Sequence, residues 1–198
     1  MERIQPFDLV IVLALLAMFI VGYAQGVVRR LLGIAAITFA LILGSQLRQP
    51  LGAYLAAEWN TIVPTYSYMV AFGAVFVAAA ITLSIGIQIT YRPAPLFTKY
   101  PALDEIVGGL LGVFEGFLIL IAALLILDPH YNLQSVKDTV AIGEFRVLRS
   151  LHEFLNTSVI VEVVRNNVIP VILAVVGFLF PQDVRDTFAR AGALLARR

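Results

Sequence analysis

LDEIVGGLLGVFEGFLILIAALLIL, residues 103–127, decides the fold class of this chain. About 20 apolar residues in a helix cross a hydrocarbon core, and this run has that length, with Asp104 and Glu105 at its start and Glu115 the only charge after them. Glycines recur at Gly108, Gly112 and Gly116. That four-residue spacing stacks them along one side of a helix and lets a second helix approach closely. A carboxylate, Glu115, sits about midway along. At about 100° per residue, the eleven residues from Asp104 bring Glu115 back to within about 20° of it. Both acids are therefore expected on the glycine side, toward protein rather than lipid.

The whole chain has the same solvent preference. It is 60% hydrophobic and 14% charged, whereas soluble domains carry about 25% charged residues. A bilayer is the environment that can accept so much apolar surface. Three further spans precede the quoted one, at about 7–24, 31–47 and 66–91, with the fourth at 104–127. The second is short and lies between Arg30 and Arg48. The third carries Tyr66, Tyr68 and Tyr91 where interfacial aromatics belong. A cleaved signal peptide is the alternative for the first span, because GYA before Gln25 resembles a cleavage site. Arg3, its only basic residue, is offset by Glu2, and three more spans follow, so a retained span is the better reading.

Loop charge orients the bundle. With the N-terminus outward, Arg29, Arg30, Arg92 and Lys99 lie in cytoplasmic loops, and Arg3 and Arg48 lie outside. The positive-inside tendency favours this arrangement, and four spans then return the C-terminus to the outside as well.

Asp128 and Pro129 are expected to end the fourth helix. Beyond them GEFRVLRSLHEFL, from Gly143, places Phe145, Leu148, Leu151 and Leu155 on one helical face, an amphipathic pattern. Asn156, Thr157 and Ser158 offer a break and a new helix cap. Residues 168–180 form an apolar run too short to span easily, expected to dip into the interface or cover the bundle. A last amphipathic helix is expected to start near Asp183 and end at Arg197 and Arg198. The fold class is thus an all-α integral membrane protein: a four-helix transmembrane bundle over 1–130, then amphipathic or interfacial helices over 131–198.

Several chemistries have no sequence support. There is no Walker loop, no HExxH and no GxSxG. With no cysteine, disulfides, thiolate metal sites and cysteine nucleophiles are excluded. His130 and His152 lack metal-ligand spacing and are expected to be solvated or interfacial. No catalytic, cofactor or metal residue is assigned, and a net charge of +1 gives no reason to expect nucleic acid.

What remains is a set of packing and charge features. Gly22 and Gly26 end the first span, with Arg29 and Arg30 just beyond; a tight turn anchored by arginines near headgroups is the plain reading. Gly108, Gly112 and Gly116 form the ladder. Three arrangements could offset the cost of Glu115: a proton, a hydrogen bond to a neighbouring helix, or an arginine reaching inward. A protonated or hydrogen-bonded glutamate against the first or third span is favoured, since an ion pair with Arg29 or Arg30 needs a long reach or a bent helix.

Together these segments resemble the colicin V production protein family (CvpA), small four-span bacterial inner-membrane proteins. Asp8 in PFDLVIVL matches the aspartate that begins the family's first span. Gly22, Tyr23, Gly26, Arg29 and Arg30 match the glycine pattern and basic residues that end it. Leu103, Asp104, Gly108, Gly112 and Gly116 match the opening of the last span. The likeness covers residues 6 to about 130 and weakens through the tail. Two departures stand out. Glu115 replaces the basic residue often found between the last two glycines, and Arg29–Arg30 replaces a common arginine–glutamate pair, as though the charge signs of a pairing had been exchanged.

The resemblance implies a non-enzymatic role in colicin V (toxin) production or secretion, or in envelope homeostasis. The expected partners are the lipid bilayer and a membrane or envelope protein of unknown identity, with a homo-oligomer left open. The alternative is a small oligomeric transporter or channel with Glu115 near its pathway. An intramembrane enzyme is disfavoured by the lack of a nucleophile–base pair.

Overall fold

A computed structural model describes residues 5–59, 63–91, 96, 101–132, 145–176 and 182. Four long helices dominate: α1 (Pro6–Gln25), α2 (Val27–Glu58), α3 (Pro64–Thr90) and α4 (Pro101–Tyr131). All four are long and apolar enough to cross a membrane. Shorter helices follow, α5 (Arg146–Asn156), α6 (Val159–Val163) and α7 (Ile169–Val176), with a π-helical turn at Val164–Val168 between the last two. No strand occurs among the described residues. The protein is an all-α membrane protein.

Two antiparallel pairs form the bundle, α1 on α4 and α2 on α3, and α2 also packs on α4. Small residues set both pairings. On α2 the buried Ala36, Ala40, Gly44 and Gly52 recur at multiples of four residues, with Arg48 in the same register. Gly44 receives the Phe72 ring of α3, and Gly52 receives Tyr68. The core between the pairs is Phe72, Met69, Leu124, Leu125 and their neighbours. Leu9, Leu13, Leu16 and Ile20 on α1, and Leu110 and Phe114 on α4, face outward, where lipid is their solvent.

One helix runs well past its expected span, and one expected helix end is wrong. The second span was expected at 31–47 between flanking arginines; α2 has 32 residues and contains both Arg30 and Arg48, buried. It also runs through Pro50. At 1.5 Å per residue α2 is about 48 Å long, well beyond a hydrocarbon core of about 30 Å. Likewise α4 does not stop at Asp128 and Pro129 but continues to Tyr131. His130 and Tyr131 are buried there, so tertiary packing holds a turn that local proline chemistry disfavours.

The tail docks on the bundle. Leu155, Val161, Val164 and Ile169 belong to the same core as α3 and α4. The expected break at 156–158 is present, and Ser158 caps α6 by accepting a hydrogen bond from the Val161 amide. Across that break the chain bends by 82°, the geometry of a broken span or a re-entrant element. The helix expected from Asp183 to Arg198, and the loop charges Arg92 and Lys99, lie outside the described residues.

Candidate functional site

The glycines of α4 meet α1. A Cβ on Gly108 would come within 2.7 Å of the Gly22 carbonyl oxygen, and one on Gly112 would collide with the Met18 carbonyl. Gly116 is less tightly held, its nearest neighbour being the Leu15 side chain at 2.9 Å. Gly22 is enclosed in return by the backbone of Gly108 and Gly112. The two backbones therefore touch, as the four-residue spacing requires.

Gly26 turns the chain from α1 into α2 with φ 75° and ψ 175°, a conformation essentially confined to glycine that costs an L side chain about 1–3 kcal/mol. Its Cβ position is also occupied by the Asp104 carboxylate. Asp104 spans two segments: Oδ2 accepts from the Val27 amide at 3.4 Å, at the start of α2, and Oδ1 accepts from the Leu96 amide at 3.0 Å. A carboxylate is well placed against the unsatisfied amides and positive dipole end of a helix N-terminus.

Glu115 is paired with Arg30, whose Nη1 donates to Oε2 in a close contact. Both are buried, with side-chain exposures of 6% for Arg30 and 12% for Glu115. The expected partner on the first or third span is thus corrected: it is an arginine of α2. The reach is short because α2 leaves the Gly26 turn and runs beside α4 in the same direction. Gly33, one turn beyond Arg30, leaves room for the carboxylate, 2.7 Å from where its Cβ would lie. Arg29 is half-buried and joins Gln25, Arg30, Ser84, Gln88 and Glu115 around a polar cavity of about 170 Å³.

Asp8 lies at the opposite end of the bundle, away from this cluster. Its Oδ1 accepts from the Ser158 hydroxyl at 2.5 Å and the Ile160 amide at 3.3 Å, and Oδ2 accepts from the Gln5 amide at 3.0 Å. It fastens the start of α1 to the tail.

A second polar cluster at this end escaped sequence reasoning. Asp128, fully buried, accepts from Arg165 Nε at 2.7 Å and Nη2 at 2.9 Å. His152 Nε2 lies 3.3 Å from Asp128 Oδ1, and Asn156 Nδ2 lies 3.2 Å from His152 Nδ1. His130 bonds Thr65 through Nδ1 at 3.0 Å. Tyr131 stacks on His152 with centroids 4.9 Å apart, and Arg149 Cζ lies over the Tyr131 ring, 5.7 Å from its centroid. The expectation of solvated or interfacial histidines is therefore wrong for both: each is buried. Asp128 before a proline reads as a helix stop in sequence, and its arginine comes from 37 residues away. Among the described residues, no three His, Asp or Glu side chains group as a metal site.

A multi-pass helical membrane protein whose buried charges tie one helix to another is the class these features define. The chain belongs to the colicin V production protein family: the family model described as "Colicin V production protein" matches residues 7–170. That match runs past residue 130 and takes in α5, α6 and the π-helical turn, so the docked tail is part of the family's domain. No curated protein and no solved structure matches the chain. Within the resemblance noted above, the two departures meet each other in space. Arg30 and Glu115, the positions of those departures, are bonded to each other.

Proposed function

We propose that this protein is a non-enzymatic scaffold of the bacterial inner membrane that supports colicin V-type toxin production or secretion, or envelope homeostasis, through helix contacts with membrane partners. The observation that carries this reading is how its buried charges are used. Arg30 and Glu115 join α2 to α4, Asp104 holds the start of α2, Asp8 holds α6, and Asp128 holds the π-helical turn. Each is committed to fixing one helix against another, which suits a rigid platform, while α1 and α4 leave apolar side chains outward for lipid or a partner span. The arginines beside the α1–α2 turn favour placing that face in the cytoplasm, with both termini outside.

A second reading has one observation in its favour: the polar cavity beside Glu115 is what a small oligomeric channel or transporter would need on its pathway. Proteoliposome flux separates the two. The scaffold reading predicts proton and small-solute flux equal to that of empty liposomes. Flux that disappears on Glu115→Gln, in a variant that still reconstitutes, establishes the transporter.

A further inference from the structure

Toward one end Gly44 and Gly52 bring α2 and α3 into contact through Phe72 and Tyr68. Toward the α1–α2 turn a polar cavity lies beside these helices, lined by the Arg30–Glu115 pair together with Gln25, Arg29, Ser84 and Gln88.

The charges of this lining do not cancel. Arg30 and Glu115 neutralise each other, leaving the Arg29 guanidinium in surplus. The side chains of Arg29, Gln25, Ser84 and Gln88 have no hydrogen-bond or ion-pair partner among the described residues. Their donors comprise five guanidinium N–H groups, two amide NH₂ groups and a hydroxyl. A volume of about 170 Å³ accommodates several waters, each needing about 10–15 Å³, or one small oxyanion with a water or two. Unpaired donors and a surplus cation sharing one recess beside lipid call for an anion rich in acceptor oxygens. Arginine suits phosphate in particular, because its planar fork matches two phosphate oxygens. Gln88 lies within the last turn of α3, which ends at Thr90, and Gln25 is the last residue of α1, so the recess lies near the ends of two membrane-spanning helices, the level at which phospholipid headgroups are met.

We propose that this recess is a phosphate-binding site, with Arg29 as its principal ligand and Gln25, Ser84 and Gln88 as supporting donors. The group comes either from a phospholipid headgroup entering sideways between α2 and α3 or from free phosphate. The site does not depend on the scaffold role proposed above.

The test uses the full chain purified in a neutral detergent. Phosphatidylglycerol and a phosphate-free galactosyl diacylglycerol are titrated in mixed micelles and counted by native mass spectrometry. Inorganic phosphate is compared with chloride at matched ionic strength by thermal unfolding. Selective retention of phosphatidylglycerol identifies the lipid as the source, and stabilisation by inorganic phosphate alone identifies the free anion. In either case Arg29→Gln weakens binding by at least about tenfold, the loss expected for a charge-assisted hydrogen bond. Ser84→Phe, which fills the recess without altering charge, does the same, and it decides the matter should Arg29→Gln fail to give a monodisperse protein. The proposal is overturned if neither phosphate source is preferred over its control. It is equally overturned if the folded variants bind as the unmodified chain does.

Discussion

An ionised side chain at the centre of a membrane helix costs about 2.5–3.5 kcal/mol or more to insert; Glu115 lies midway along α4, buried against Arg30 from the first turn of α2. Removing one partner exposes the other's cost, typically about 3–5 kcal/mol for a buried pair. The two single replacements differ in kind. After Arg30→Gln the glutamate can take up a proton and become neutral, whereas after Glu115→Gln the guanidinium cannot lose one. Glu115→Gln should therefore lower thermal stability in detergent more than Arg30→Gln, and the exchange Arg30→Glu with Glu115→Arg should regain most of the loss. A melt of Glu115→Gln that overlays the unmodified protein would show that the pair contributes nothing. The sequence places Glu115 on the protein side of its helix, but it cannot name the partner: the two residues are 85 apart, and only the direction of α2 after Gly26 brings them together.

Among the helices, close approach of α1 and α4 depends on glycines that carry no side chain at the contact. Leucine at Gly112 has to displace the Met18 carbonyl, a backbone atom that cannot move independently of its helix. Gly86 on α3 is the internal control, since its surroundings are open. Gly112→Leu is expected to abolish most of the folded yield by gel filtration while Gly86→Leu leaves it intact; equal yields would refute close packing at Gly112. The tail depends on a different device. Arg165→Gln removes the two bonds that hold the π-helical turn to Asp128, so limited proteolysis should cut the chain between residues 145 and 176 several-fold faster. Unchanged cleavage would mean that Leu155, Val161 and Ile169 hold the tail unaided. The ladder was legible because helical periodicity is a local property. The true ends of α2 and α4 were not, because Arg48 and Asp128 read as boundaries when scanned along the chain. Burial in a bundle overrides that signal, as Asp128 shows by finding Arg165 across the fold.

For the molecule as a whole, composition and span length alone specify a four-helix membrane bundle, since no other solvent accommodates so apolar a chain. The polar cluster of His130, Tyr131 and His152 was invisible at that level, because two isolated histidines carry no spacing signal. Orientation is open to direct measurement, because the chain has no native cysteine to interfere. Asn132 and Gln88 are exposed and lie toward opposite ends of the bundle. With both termini outside, Asn132→Cys should react with an impermeant thiol reagent in intact cells and Gln88→Cys should react only after lysis. The reverse pattern would invert the protein.

The same wiring sets a schedule for biogenesis. Ribosomes add about 5–20 residues per second, so the 85 residues between Arg30 and Glu115 occupy about 4–17 s. Throughout that interval the nascent second helix holds an arginine without its counter-charge. The link between Asp8 and Ser158, separated by 150 residues, closes later still. The expected consequence is that the first two spans stay beside the insertion machinery until the fourth is delivered. A stalled chain ending before residue 115 should accordingly stay crosslinked to the insertion machinery, and one extended past it should be released into the bilayer.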